Sequence, residues 1–224
     1  MTESTTSSPQ RQRNPRGQGT VLRDQLVEAA ARLLATMDRP ETLTLRRLAR
    51  EVGVAPASIY SHFPDLDSLV TYVLQLRFAE LASAMRRAAE DAPDALHDLV
   101  ARCGAYVRWG VQHPGEYRTI VGGGMPAAVA PLSMTGVGEE LLGTVSKSLA
   151  AVAPAGPGRE WFAAIMLWTA LHGVVSLYNE HGAIHWPPLD DLIIDVLHLH
   201  TGRSAAELGV ALEPIDPPRD RGSV

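Results

Sequence analysis

Apolar residues recur at three- and four-residue spacing along most of the chain, and no stretch alternates apolar with polar residues. That period belongs to helices with one buried face, so the pattern predicts an all-α protein. Leu22, Leu26, Ala29, Ala30, Leu33 and Leu34 mark a first helix from about Thr20, which Asp38-Arg39-Pro40 ends because proline cannot continue a helix interior. Leu45, Leu48, Ala49 and Val52 share one face of a second helix, with Thr44 as its N-cap and Gly53 as its stop. A third short helix starts near Ala55, tolerating Pro56 in its first turn, and Phe63-Pro64 closes it. Asp65 or Asp67 caps a long fourth helix carrying Leu66, Leu69, Val70, Val73, Leu74, Phe78 and Leu81. Further helices are expected at about 93–112, 115–121, 133–152, 159–180 and 189–201, with a short turn near Ser204–Leu208.

Residues 43–63, LTLRRLAREVGVAPASIYSHF, place two short amphipathic runs around one glycine. Leu45, Leu48, Ala49, Val52, Val54, Ile59 and Phe63 supply a shared core, leaving Arg46, Arg47, Ala57, Ser58, Ser61 and His62 outward. Such a pair is either a helical hairpin that only packs or a helix-turn-helix whose second helix enters the major groove. Small residues at Pro56 and Ala57 permit close approach to base edges, and Tyr60 and His62 can reach phosphates. Periodicity alone leaves both readings open.

Charge bears on the choice without deciding it, since a basic tail can also be merely solvated. The net charge is -5, yet residues 1–50 hold nine arginines against five acids, so a basic end precedes an acidic remainder of -9. Segregation of this kind suits a polyanion-binding end. Residues 1–17 are Ser/Thr/Gln/Arg-rich and read as a disordered basic arm. They lack the apolar segment of a signal peptide, and Cys103 is the single cysteine, so a cytoplasmic protein without a disulfide framework is expected. No run approaches the roughly 18 uninterrupted apolar residues of a membrane span.

Leu43-Thr44-Leu45, Leu48-Ala49, Val52-Gly53-Val54, Ile59-Tyr60 and His62-Phe63 stand at the spacing of TetR-family transcriptional regulators, whose N-terminal domain the stretch from about Thr20 to Val70 resembles. The resemblance implies a three-helix DNA-binding domain followed by a larger helical ligand-binding and dimerisation domain. The corresponding boundaries are 18–66 and 67–202, with a polar tail at 203–224. It further implies a dimeric repressor on a palindromic operator in double-stranded DNA, released by a small apolar effector. Thr44 resembles a phosphate contact, and Pro56, Ala57, Ser58, Tyr60, Ser61 and His62 resemble the recognition surface. One departure stands out: Leu66 occupies the place where the family usually has a phosphate-touching lysine. Arg46, Arg47 or the arm's Arg11, Arg13 and Arg16 are expected to compensate.

In the acidic remainder, Trp161–Tyr178 is apolar around its whole circumference, which calls for burial on more than one side. Paired with residues 189–197, it suits half of a four-helix homodimer interface. Trp168, His172 and Gly173 also resemble the Trp…His-Gly pattern of one C-terminal subtype of the family. Candidate pocket residues are Phe78, Cys103, Tyr106, Trp109, Met125, Met166, Trp168, His172 and Tyr178, aromatics and methionines suited to an apolar molecule. Any one of them serves equally as core, and Cys103 reads as an inert buried thiol rather than a redox sensor. The rival reading is a helical metal-binding sensor, or a small-molecule-binding protein with no DNA role. His181, His185, His198 and His200 cluster late, but Gly182 and Pro187-Pro188 make 181–188 a loop, and no metal-ligand spacing is compelling. Gly122-Gly123-Gly124 lacks the lysine of a phosphate loop. Neither catalysis nor a cofactor is expected.

Overall fold

Side-chain caps at Thr44 and Asp65 and the left-handed Gly53 mark helix boundaries in the first half of the chain. In the computed structural model, residues 18–37, 39–121 and 137–208 are described, and no strand occurs among them. Helix α1 spans Gln18–Thr36, a 3₁₀ turn follows at Pro40–Thr42, and α2 spans Leu45–Val52. The Thr44 side chain accepts the Arg47 N–H at 3.2 Å, filling one of the donors that a helix start leaves free. Gly53, at φ 77°, ends α2 and returns its N–H to the Ala49 carbonyl. Only glycine adopts that conformation cheaply. Helix α3 is a single turn, Pro56–Ile59, shorter than the stretch to Phe63 that the sequence suggests.

Leu26, Ala30 and Leu34 of α1 join Leu48, Ile59 and Phe63 in the core of this N-terminal unit. Helix α4, Leu66–Ala88, starts at Asp65, whose carboxylate accepts the Ser68 N–H at 2.7 Å. Leu66 is half-buried and packs on the core, so its side chain serves packing at the place where a lysine was expected. Arg23 of α1 lies over the rings of Tyr72 (4.2 Å) and Phe63 (4.9 Å), tying α1 to the start of α4. Cation–π contacts of this kind contribute about 0.5–1 kcal/mol when exposed.

The larger half is layered around α5, Ala95–Gln112, which packs against α4, α6 (Pro114–Val121), α7 (Val137–Val152), α8 (Glu160–Glu180) and α9 (Leu189–Thr201). A final turn, α10, covers Ala205–Leu208. Residues 133–136, placed by the sequence in the same helix as 137–152, lie outside the described residues, as do the arm and the end of the tail. Gly110 lets α5, α6 and α8 meet: a Cβ there would stand 2.6 Å from Val175 Cγ1 and 2.8 Å from Tyr117 Cδ2.

Within the single chain, helix α8 buries one stripe, Ala164, Leu167, Leu171 and Val175. Phe162 (53% exposed), Met166 (45%) and Leu177 (46%) form the opposite stripe with Thr169 and Gly173. Among the described residues, nothing lies within 4 Å of a Cβ built on Gly173. By length and composition alone, α8 is also long and apolar enough to cross a membrane.

Candidate functional site

Two places in this frame carry chemistry. The first is the outer face of α2 and α3. Burying Leu48, Ala49 and Ile59 leaves Thr44, Arg46, Arg47, Pro56, Ala57, Tyr60 and Ser61 exposed, and Ser58 and His62 half-exposed. Tyr60 is 58% exposed although it is aromatic. Exposure of a large ring beside a fully buried Ile59 follows from helical register, since adjacent positions point about 100° apart. The Ser61 hydroxyl donates to the Ser58 carbonyl at 2.7 Å, so it holds the turn after α3 as well as facing outward. Arg50 is exposed on the same helix, whereas Glu51 pairs with Arg32 at 3.7 Å. The arm arginines Arg11, Arg13 and Arg16 lie outside the described residues.

The second place is a cavity of about 60 Å³ between α4, α5, α7 and α8. A single water requires roughly 10–15 Å³, so the space suits a few non-hydrogen atoms. Of the expected pocket residues, Phe78, Cys103, Tyr106 and Trp168 line it. Leu81, Met85 and Leu171 complete the α4 and α8 walls, and Leu141, Leu142 and Val145 close it from α7. These leucines read as plain core in the sequence, because periodicity marks a buried face without saying whether that face meets a partner or a void. Val121 and Gly138, on either side of residues 122–136, also line it.

Four expected residues do not line the cavity. Met166 lies on the exposed stripe of α8, one position round from the buried Leu167. Trp109 is buried but stacks on His113, with ring centroids 5.1 Å apart. Tyr178 packs against Trp186, centroids 5.9 Å apart, beyond the cavity end of α8. His172 stands behind the wall, hydrogen-bonded to Tyr117. Met125 lies outside the described residues.

The polar atoms of this wall are turned on one another. The Trp168 Nε1–H donates to the Tyr106 hydroxyl at 3.0 Å, the Tyr106 and Tyr117 hydroxyls are 2.7 Å apart, and the Tyr117 hydroxyl is 2.8 Å from His172 Nδ1. Burial pushes the Tyr106 hydroxyl up to about 12 and the Tyr117 hydroxyl above the usual tyrosine range. Burial also lowers His172 below the usual histidine value, against the opposing field of Glu180. Cys103 is fully enclosed, and burial raises its thiol to about 12, which leaves it protonated and inert. Tyr117 is the residue that sequence reading missed; its position after His113-Pro114 gave no sign of a role.

Helix α6 runs between α1 and the cavity. At its start, Gly115 sits so close to α1 that a Cβ would come within 2.7 Å of the Ala35 carbonyl oxygen. Arg118 donates to that same oxygen at 2.7 Å. At its other end Val121 lines the cavity.

Late histidines do not converge. His198 Nδ1 contacts the Arg203 carbonyl at 2.6 Å, and no group of three or more metal-ligating side chains occurs among the described residues.

Comparison with known proteins covers both halves. The family profile described as "Bacterial regulatory proteins, tetR family" matches residues 26–73, and that described as "Tetracyclin repressor-like, C-terminal domain" matches residues 99–197. An HTH-type transcriptional regulator of Mycobacterium tuberculosis is 30% identical over 112 residues, 49% of this chain and 48% of that protein. The chain thus matches about half the length of the curated relatives it resembles. Solved structures that share its fold include two further regulators. The fatty acid degradation regulator FadR of Bacillus halodurans has a TM-score of 0.63 and 17% identity, covering 85% of this chain and 97% of that one. A transcriptional regulator from Pseudomonas aeruginosa has a TM-score of 0.66 and 20% identity, covering 86% and 96%.

Proposed function

Because the chain belongs to the tetR family of bacterial regulatory proteins and is a transcriptional regulator, we propose that it is a dimeric repressor, released from a palindromic operator by a small apolar effector. The observation that carries this reading is the double contact of α6, which touches Ala35 of α1 at one end and the cavity at the other. An occupant of the cavity would displace Val121 and the end of α6, and α1 would follow through Gly115 and Arg118. The separation of the two reading heads then changes. Such an effector releases DNA only as far as it binds the non-reading spacing more tightly.

On the DNA side, Thr44, Arg46 and Arg47 serve as phosphate contacts, and Pro56, Ala57, Ser58, Tyr60, Ser61 and His62 form the reading surface. Arg46 and Arg47, with the arm, make good the contact that Leu66 does not provide. Dimerisation uses the exposed α8 stripe of Phe162, Met166, Gly173 and Leu177, together with the outer face of α9, where Leu199 is 79% exposed. A two-fold dimer matches a palindrome because each protomer reads one half-site. No catalysis, cofactor or metal is assigned, and the reading places the protein in the cytoplasm.

The test is selection of random double-stranded DNA on the purified chain, with light scattering for its mass. Enrichment of a palindrome bound by two chains is expected. Tyr60→Ala and His62→Ala should lose that binding and stay dimeric, whereas Met166→Glu should yield monomers. A monomeric chain that enriches no sequence would return the protein to a small-molecule binder without a DNA role.

A further inference from the structure

Beside the cavity, three helices contribute to one chain of hydrogen bonds. It runs from Trp168 through Tyr106 and Tyr117 to His172, whose Nε2 lies 3.4 Å from the Ser176 hydroxyl. Direction matters, because a hydroxyl has one hydrogen to give and two lone pairs to receive with. While His172 is neutral and accepts at Nδ1, Tyr117 spends its hydrogen there, and Tyr106 must spend its own on Tyr117. The indole hydrogen of Trp168 already goes to Tyr106. Tyr106 and Trp168 therefore line the cavity without a free strong donor, and Cys103, the remaining polar group named in the wall, is at best a weak one.

A second proton on His172 reverses the chain. His172 then donates to Tyr117 and Tyr117 to Tyr106. Tyr106, now accepting from both Trp168 and Tyr117, is left with one hydrogen and no partner among the described residues. An acceptor on a molecule in the cavity can supply that partner. Building on the ligand-cavity reading above, we infer that the Tyr106–Tyr117–His172 chain determines the cavity's specificity: it takes hydrocarbon ligands while His172 carries its one hydrogen on Nε2, and ligands bearing a hydrogen-bond acceptor once Nδ1 is protonated.

The groups that face His172 are Tyr117 from α6, backed by Tyr106 from α5, and Trp168, Ser176 and Glu180 from its own helix. Burial favours the neutral imidazole, and with its hydrogen on Nε2, toward the Ser176 hydroxyl, Nδ1 accepts from Tyr117 and the hydrocarbon-selective state is the resting one. The proton comes from solvent and no covalent bond changes.

The experiment uses two probes of the same shape and number of heavy atoms, pent-1-yne and butyronitrile, of which only the nitrile is a good acceptor and neither titrates. Affinities are read on the full chain from the Trp168 indole N–H resonance at about pH 8 and at a lower pH where the ring resonances of His172 show it protonated, because burial lowers it below the ordinary histidine value. The expected result is a preference for pent-1-yne at the higher pH that moves about tenfold toward butyronitrile at the lower, the size of one net hydrogen bond. The nitrile stretch should report hydrogen bonding only at the lower pH. In Tyr117→Phe, and in His172→Gln, the preference should no longer depend on pH. An unchanged preference in the native chain, or a pH dependence that survives both substitutions, overturns the inference while leaving the cavity as a ligand site. Binding of neither probe overturns the cavity reading and this inference with it.

Discussion

The Tyr117 hydroxyl lies 2.8 Å from Nδ1 of His172, fifty-five residues later in the chain, and that contact joins α6 to α8 behind the cavity. Tyr117 is 2% exposed, so its hydroxyl has no water to fall back on. Tyr117→Phe removes one oxygen and leaves Tyr106 and His172 each short of a partner. Unpaired buried polar groups cost about 1–3 kcal/mol. The expected outcome is a folded protein with a lower melting temperature, measured by circular dichroism against the native chain.

At the other end of α6 the constraint is steric. Gly115→Ala places a methyl group about where the Ala35 carbonyl oxygen and Cβ already stand, at 2.7 and 2.8 Å. Overpacking against backbone costs about 1–3 kcal/mol. Relief by tilting α6 away from α1 would break the Arg118 hydrogen bond to Ala35. Amide hydrogen exchange should quicken at the C-terminal turn of α1 and at the start of α6, with α9 unaffected.

For the reading face the prediction concerns salt. Arg46 and Arg47 are exposed, and neither makes an ion pair among the described residues. Replacing each with alanine should weaken DNA binding across sequences alike and reduce the slope of log affinity against log salt by about 0.9 for each phosphate no longer neutralised. Removing residues 1–16 should flatten the slope further. A slope untouched by all three changes would mean that other groups grip the backbone.

Acid stability is expected to depend on a half-buried corner between α5 and α7. Asp98 takes three hydrogen bonds from Arg102, at 2.7–3.0 Å, and one from the Ser148 hydroxyl. Burial raises its pKa, but the bonds from Arg102 and Ser148 outweigh burial and hold the carboxyl below the usual aspartate value. A carboxyl with a lowered folded pKa adds stability that is complete above its unfolded value of about 3.9. That stability is lost as pH falls from there through the folded value. Asp98→Asn should therefore lower the melting temperature near neutrality and show a shallower loss below about pH 4 than the native chain.

Much of the architecture was legible because its signals are local. Thr44, Gly53 and Asp65 act on backbone within four residues of themselves, so the start and stop of α2 could be read directly and the start of α4 narrowed to Asp65 or Asp67, of which Asp65 is the cap. Helix α3 was the exception: Ser58 and Ser61 favour a turn through their own hydrogen bond, and the helix stops at Ile59. The outward side of α2 and α3 followed from the same period. The pocket was less legible. Met166 and Trp168 are two positions apart on one helix and share its composition, yet one faces out and the other lines the cavity.

The sequence by itself determined the helices, their order and the face that α2 and α3 present, because capping, proline and the 3.6-residue period operate over a few residues at a time. Tertiary structure alone decided which apolar faces meet a neighbour, a void or nothing. It brought Phe78, Cys103, Tyr106 and Trp168 around one cavity, aligned Tyr117 with His172, and left Phe162, Met166 and Leu177 uncovered. Those outcomes depend on how far one helix slides and turns against the next. A rotation of one residue, about 100°, exchanges a buried position for an exposed one while leaving the sequence pattern unchanged.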